Sequence, residues 1–261
     1  MYTVETVIVF LEHFAPTRLA EEWDNVGLLV GDRRRPIERV MTCLTVTPAT
    51  AAEAVEQQAE LIVAHHPIPF RPLRRLTDET TVGRLLLELI AARIAVYSPH
   101  TAFDSARHGI NQRLASGLRL RGISPLVPDE TGLGAGRWGW LEEPVVLGQL
   151  AQRLKQFLAI DQMQMVGDPK QPIRTVAVGC GAAGEFLDAA RQNECDCMVL
   201  GETRFHTCLE AEAAGVGLLM PGHFASERFA VEQLADVLAR QFPDLGVWAS
   251  AEERDPVRWI V

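Results

Sequence analysis

Three short segments of the 261-residue sequence carry side chains suited to binding metals. They are His65-His66-Pro67, the stretch Ser98-Pro99-His100-Thr101-Ala102-Phe103-Asp104, and Gly222-His223-Phe224-Ala225-Ser226-Glu227. Imidazole nitrogens and carboxylate oxygens without thiolate form a donor set for Zn, Mn, Fe, Co or Ni rather than Ca. One ion takes about four protein ligands, or three and a water. The five groups His65, His66, Asp104, His223 and Glu227 include a carboxylate able to bridge. Such a set suits two ions about 3.5–4 Å apart, the spacing that activates a shared water. His100 is open between a ligand and a partner that orients one. If a helix opens near Phe224, His223 and Glu227 share one side of its first turn, where the helix dipole favours a carboxylate. Individually these residues have plainer readings: Asp104 as a helix N-cap, and Ser226-Glu227 as an ordinary helix start.

Each segment directly follows an expected strand. Apolar runs at 61–64, 94–97 and 216–220 precede His65, Ser98 and Pro221. Ligands of parallel α/β sheets gather at the carboxyl ends of strands, so all three segments stand where a site would form. A strand at 40–46 and helices at 49–59, 80–92 and 225–240 complete this pattern, with Leu85, Leu86, Leu89 and Ile90 on one face of 80–92. Strands at 175–178 and 197–200 alternate with helices at 182–192 and 205–214. In between, the glycine-rich stretch 132–139 around Trp138 and Trp140 reads as a turn and a strand. Residues 147–158 read as an amphipathic helix, spaced for core packing. The expected fold is α/β, with two similar lobes of mostly parallel sheet. The first lobe is expected at 1–130 and the second at 131–261, with the junction inside 125–145.

Composition excludes several classes. Lys and Arg number 25 against 34 Asp and Glu, a net charge of −9. With a pI near 5.3 and no basic tract, neither nucleic acid nor an anionic membrane is an expected partner. The first apolar stretch lacks a basic flank and carries Glu5 and Glu12, unlike a signal peptide. No apolar run approaches the roughly 18 residues of a membrane span, and the cysteine usage makes a reducing cytoplasm the expected location. The five cysteines are odd in number and lack paired C-x-x-C spacing, so Cys195 and Cys197 read as buried, inert thiols. The stretch from Gly179 to Gly184 approaches a phosphate-binding glycine motif but reads better as a plain strand-to-helix turn. Trp23-Asp24-Asn25 reads equally as pocket lining or as Trp23 packed under a turn at Gly27 that Asn25 caps. Glu202 and His206 are as readily placed toward the metals or substrate as away from them.

On these segments the sequence resembles the NIF-three-like family, often labelled GTP cyclohydrolase I type 2 homologue. The resemblance spans nearly the whole chain. It includes Glu22-Trp23-Asp24-Asn25-Val26-Gly27-Leu28 with Gly31, Ala64-His65-His66-Pro67, Ser98 through Asp104, Gly201-Glu202 with His206, and Gly222 through Glu227. It implies a two-lobed α/β fold with a dinuclear metal site in the cleft between the lobes. His65 and Asp104 would hold one ion, His66 and His223 the other, and Glu227 would bridge both. It also implies a homohexamer built as a trimer of dimers. The length matches the short form, without the ferredoxin-like domain that longer members insert between the lobes. The substrate is not implied, because the sequence has no Walker-type loop and no G-x-G-x-x-G.

The expected function is therefore a metal-dependent hydrolase with two divalent ions per chain. Its substrate is a small molecule, nucleotides among the candidates, and His100 or His206 would act as general acid or base. The alternative is a non-catalytic, metal-binding regulatory or interaction protein. Two carboxylates and three histidines exceed what a scaffold needs, which favours the hydrolase.

Overall fold

A computed structural model describes residues 1–260. Its first helix, α1 (Val4–Phe14), opens on Thr3, whose hydroxyl accepts the Thr6 backbone N–H at 3.3 Å. Val4, Val7, Ile8 and Leu11 follow helical spacing and are fully buried. This helix is absent from the elements expected from the sequence. Strands β1 (Gly27–Val30) and β2 (Arg39–Cys43) come next. Helix α2 (Pro48–Glu56) is capped by Thr47, which accepts the Thr50 N–H at 3.2 Å, with Pro48 pre-set for the first turn. After β3 (Leu61–Ala64), Thr80 caps α3 (Thr81–Ala91) by accepting the Gly83 N–H at 3.0 Å. Helix α3 buries Leu85, Leu86 and Leu89, whereas Ile90, expected on the same face, lies at the margin of the stripe and is 49% exposed. Strand β4 (Ala95–Ser98) leads into the short helix α4 (His100–Ser105).

The chain continues through α5 (Ile110–Gly117), β5 (Arg121–Ser124), β6 (Arg137–Val146) and α6 (Leu147–Leu158). Strands β7 (Gln164–Val166) and β8 (Pro172–Gly179) follow, then α7 (Leu187–Gln192), β9 (Cys197–Leu200), α8 (Phe205–Ala213) and β10 (Gly217–Met220). Helix α9 (His223–Gln241) and strand β11 (Gly246–Ala249) close the sequence of elements. One sheet has the order β11-β2-β3-β4-β1, parallel except for β1. The other runs β7-β10-β9-β8-β6-β5, with a parallel centre of β10, β9 and β8 and antiparallel strands added on both sides. The fold is thus mixed α/β, built on parallel sheet centres.

Two compact units hold these sheets. One comprises Met1–Phe103 with Ala230–Arg254; the other comprises Asp104–Phe229 and the tail from Asp255. The boundary between the units falls inside α4, whereas the two stretches of β/α alternation place the expected lobe junction at 130/131. Strand β5 pairs with β6 (Ser124 with Trp138, Arg121 with Trp140), which draws 110–130 into the second sheet. Strand β11 joins β2, which returns the last strand to the first sheet. Strands β3, β4, β9 and β10 are buried at every position, as parallel strands covered on both faces require. Met41, Ile62 and Val96 pack with Leu85 and Leu89 in one unit; Ala177, Met198 and Leu218 pack with Leu187 and Ala211 in the other. Among the described residues, no helix is long and apolar enough to cross a membrane.

Buried carboxylates fasten the last strand of the first unit. Glu53 accepts from Trp248 Nε1 (3.2 Å), Ser250 Oγ (2.5 Å) and the backbone N–H groups of Ala251 (2.9 Å) and Glu252 (3.1 Å). Burial opposes its charge, but these donors outweigh burial and hold the carboxyl below the usual value of 4.5. Its stabilising contribution is therefore full above that value and is lost as pH falls through the lower folded value. Glu53→Ala, which leaves four donors without their acceptor, is expected to cost about 1–3 kcal/mol in urea unfolding at pH 7. The deficit should shrink on acidification. A deficit that stays constant down to full protonation would show that the charge of Glu53 is not what fastens the segment.

Candidate metal centre

In the first unit, the chemistry gathers at the carboxyl ends of β3 and β4. The pairing of β2 with β3 continues past the last strand residue: His65 N–H donates to Cys43 O at 3.0 Å and His66 N–H to Leu44 O at 2.8 Å. Neighbouring side chains on a regular strand diverge to opposite faces. Here the chain leaves the strand toward Pro67, and the two imidazoles converge with ring centroids 5.1 Å apart. The His100 ring lies 5.2 Å from that of His65 and 5.6 Å from that of His66. The three residues each offer a nitrogen within 4.8 Å of the others, so the group could hold a metal ion.

The orientation of these rings is fixed from behind. Thr45 Oγ1 lies 2.7 Å from His66 Nδ1, and Asp24 Oδ1 accepts from His100 Nδ1 at 2.7 Å. Both contacts leave Nε2 as the nitrogen presented to a ligand. Thr45 is itself held, because the Glu253 carboxylate accepts the N–H groups of Leu44 (2.8 Å) and Thr45 (2.7 Å). Asp24 also accepts Thr101 Oγ1 at 2.5 Å. Burial works against its charge, but the bonds from His100 and Thr101 win and lower its carboxyl to about 2. His100 sits at φ +27°, a strained backbone for a residue with a Cβ, and such strain persists only where surroundings enforce it.

In the second unit, donors collect after β8, β9 and β10. His223 Nδ1 donates to Glu202 Oε1 at 3.0 Å, and its Nε2 lies 3.2 Å from Glu227 Oε2, one turn along α9. The bond to Glu227, helped by Glu202 and opposed by burial, raises His223 to about 9. Both His223 and Glu227 belong to a second group with metal-ligand spacing. Gly181, at φ +61°, makes this approach possible, since a Cβ there would collide with Glu227 Oε1. The glycine motif at 179–184 therefore serves as a turn that admits a carboxylate.

Asp104 stands in the last turn of α4, not at an N-cap; α5 opens on Gly109 without a side-chain cap. Asp104 Oδ1 accepts the Cys180 thiol at 3.1 Å. Asn111 ties the pair together, donating to Asp104 O (3.2 Å) and accepting the Cys180 N–H (2.7 Å). Burial, then the charges of Asp104 and Glu227, push the Cys180 thiol well above its ordinary value, so it remains a neutral donor. The end of α4 is gripped by buried Arg137, which donates to Ser105 O (2.8 Å), Ala106 O (2.9 Å), Gly134 O (2.8 Å) and Gly136 O (2.6 Å).

The structure thus brings together His65, His66 and His100 in one unit, and pairs His223 with Glu227 in the other. His206 lies exposed on α8 with its ring beside Phe205, outside both donor groups among the described residues. Glu202 faces His223. Asp24, Thr45, Cys180, Asn111 and Arg137 are the positioning residues that sequence reasoning missed as such. Of these, Asp24 had left a trace, in the Trp23-Asp24-Asn25 stretch, and Arg137 is an inward-facing cation of β6. Cys195 and Cys197 are buried, as expected.

Fold and side chains together define an α/β protein with candidate metal-ligating groups at the carboxyl ends of its sheet strands. The chain belongs to the Duf34/NIF3 (NGG1p interacting factor 3) family, whose model it matches over residues 2–256. It is 32% identical over 247 residues to a protein of Clostridium acetobutylicum named GTP cyclohydrolase 1 type 2 homolog, covering 94% of this chain and 92% of that one. It is likewise 32% identical to NIF3-like protein 1 of Drosophila melanogaster, covering 96% and 87%. Among solved structures, a Bacillus cereus protein related to NIF3 superposes with a TM-score of 0.91 at 22% identity, covering 100% of this chain and 99% of that one.

Arg137→Leu would strip buried carbonyls of a cationic donor and is expected to cost about 2–4 kcal/mol in urea unfolding. Arg137→Lys should recover only part of this, because an ammonium lacks the planar fork that reaches several carbonyls at once. Wild-type stability in Arg137→Leu would show that α4 is anchored otherwise.

Proposed function

We propose that the chain is a dinuclear divalent-metal protein acting as a metal-dependent hydrolase on a small molecule, nucleotides among the candidates. One observation carries the reading: His66 and His223, two of the proposed ligands, are each held at Nδ1, by Thr45 and Glu202, the arrangement that orients metal-ligating histidines. The donor chemistry fits, since nitrogen and oxygen groups with a neutral, occupied thiol suit Zn, Mn, Fe, Co or Ni. In the proposal His65 and Asp104 would hold one ion and His66 and His223 the other, with Glu227 serving both. When bound, such a pair supplies Lewis acidity and activates water near neutral pH.

His100 is then left for proton transfer. Asp24 keeps its Nδ1 protonated, so Nε2 takes a proton from the attacking water or returns one to the leaving group. His100 is preferred to His206, which lies outside the donor groups. The name GTP cyclohydrolase 1 type 2 homolog, carried by the relatives, agrees with hydrolysis of a nucleotide-like substrate. A cytoplasmic homohexamer, a trimer of dimers, completes the proposal.

Elemental mass spectrometry of untagged protein purified without chelator tests it. About two transition-metal ions per chain are expected, falling in Glu227→Ala and in His66→Ala. Thr45→Val, which removes the hydroxyl behind His66, should weaken metal affinity about 10–100-fold without unfolding the protein. Near-zero metal with no uptake of Zn, Mn or Fe would overturn the reading. Full metal without turnover on phosphoester, nucleotide and cyclic-amide panels would favour the non-catalytic alternative.

A further inference from the structure

Two large aromatic side chains stand open to solvent beside the imidazole group of the first unit. Trp23 is 62% exposed and Phe70 is 49% exposed. Trp23 is therefore not packed beneath the Gly27 turn. Both rings meet His100 edge-on, with centroids at 6.0 Å for Trp23 and 5.9 Å for Phe70. Their own centroids are 5.8 Å apart at an interplanar angle of 44°, so they do not stack flat on each other, and each keeps about half or more of its surface open to solvent. The loops that carry them are tied: Asn25 Nδ2 donates to Pro69 O at 2.8 Å, and Asp24 is fastened to Thr101 and His100. An exposed apolar pair held in place has already lost the freedom that ligand binding would otherwise cost.

We propose that Trp23 and Phe70 form a platform for a planar aromatic or heteroaromatic ring of nucleobase size, held beside His100 as part of the substrate. Open aromatic faces attract such rings through offset and edge contacts, and every nucleobase offers a π-face whatever its hydrogen-bonding edge. The platform selects for a flat ring and is indifferent to sugar or phosphate. This deepens the hydrolase reading by naming a substrate class, and rests on it for the reaction; binding of the ring does not need metal.

Calorimetric titration of the full chain, metal-free and metal-loaded, with guanosine, adenosine and ribose 5-phosphate provides the test. Both nucleosides should bind both forms, and bind the metal-free form at least about tenfold more tightly than ribose 5-phosphate, since stacking is the difference. Trp23→Ala and Phe70→Ala should each weaken nucleoside binding by about 5–100-fold, with Trp23→Phe recovering most of the loss. Metal content and ribose 5-phosphate binding should not change. Nucleosides no tighter than ribose 5-phosphate would overturn the proposal, as would unchanged nucleoside affinity in Trp23→Ala. A changed oligomeric mass in Trp23→Ala with unchanged nucleoside affinity would assign the rings to a second copy of the chain instead. Because the metal-free protein is measured too, loss of the metal reading and loss of the platform give different results.

Discussion

The register of β2 against β3 is the constraint on which the first donor group depends. Val40 pairs with Leu61, Met41 with Ile62, Thr42 with Val63 and Cys43 with Ala64. The same ladder then runs on through His65 and His66. A slip of one residue would turn every buried side chain of the strand to the other face and would carry both imidazoles with it. The register is secured because β3 is buried at every position and Glu253 clamps the facing backbone at Leu44 and Thr45. A carboxylate near the end of the chain thereby reaches Thr45, and Thr45 reaches His66. Packing energy is converted in this way into the aim of one ring nitrogen.

The second unit solves a different problem, that of bringing polar groups close together away from water. Buried polar atoms are costly unless partnered. Ser226 accepts from the Gly181 N–H and donates to His223 O; Asn111 serves Cys180 and Asp104; Arg137 saturates the carbonyls around it. Gly181 contributes by what it lacks, since only a residue without Cβ tolerates both its backbone angle and the carboxylate of Glu227. The neutral thiol of Cys180 belongs to the same economy, engaging one oxygen of Asp104 without adding charge.

Much of the fold was legible because its signals are local. The apolar runs at 61–64 and 197–200 and the amphipathic run at 147–158 coincide with β3, β9 and α6 residue for residue. The three donor segments stood out because imidazoles and carboxylates at strand ends are local features too. What escaped notice depends on distance along the chain. Asp24 meets His100, Glu53 meets Ser250 and Glu253 meets Leu44, each across many tens of residues, and no spacing rule links them. The expected junction at 130/131 and the unit boundary inside α4 differ for a related reason: local β/α alternation does not show that strand pairing draws β5 to β6. Helix α1 carries its own local signal, with Val4, Val7, Ile8 and Leu11 at helical spacing.

Two divalent ions on nitrogen and oxygen donors is the central claim, and X-ray absorption at the metal edge of Zn- or Mn-loaded protein tests it most directly. The expected spectrum has nitrogen and oxygen neighbours only, with a second metal scattering at about 3.5–4 Å. A sulfur neighbour at about 2.3 Å, or the absence of a second metal at full loading, would contradict the claim.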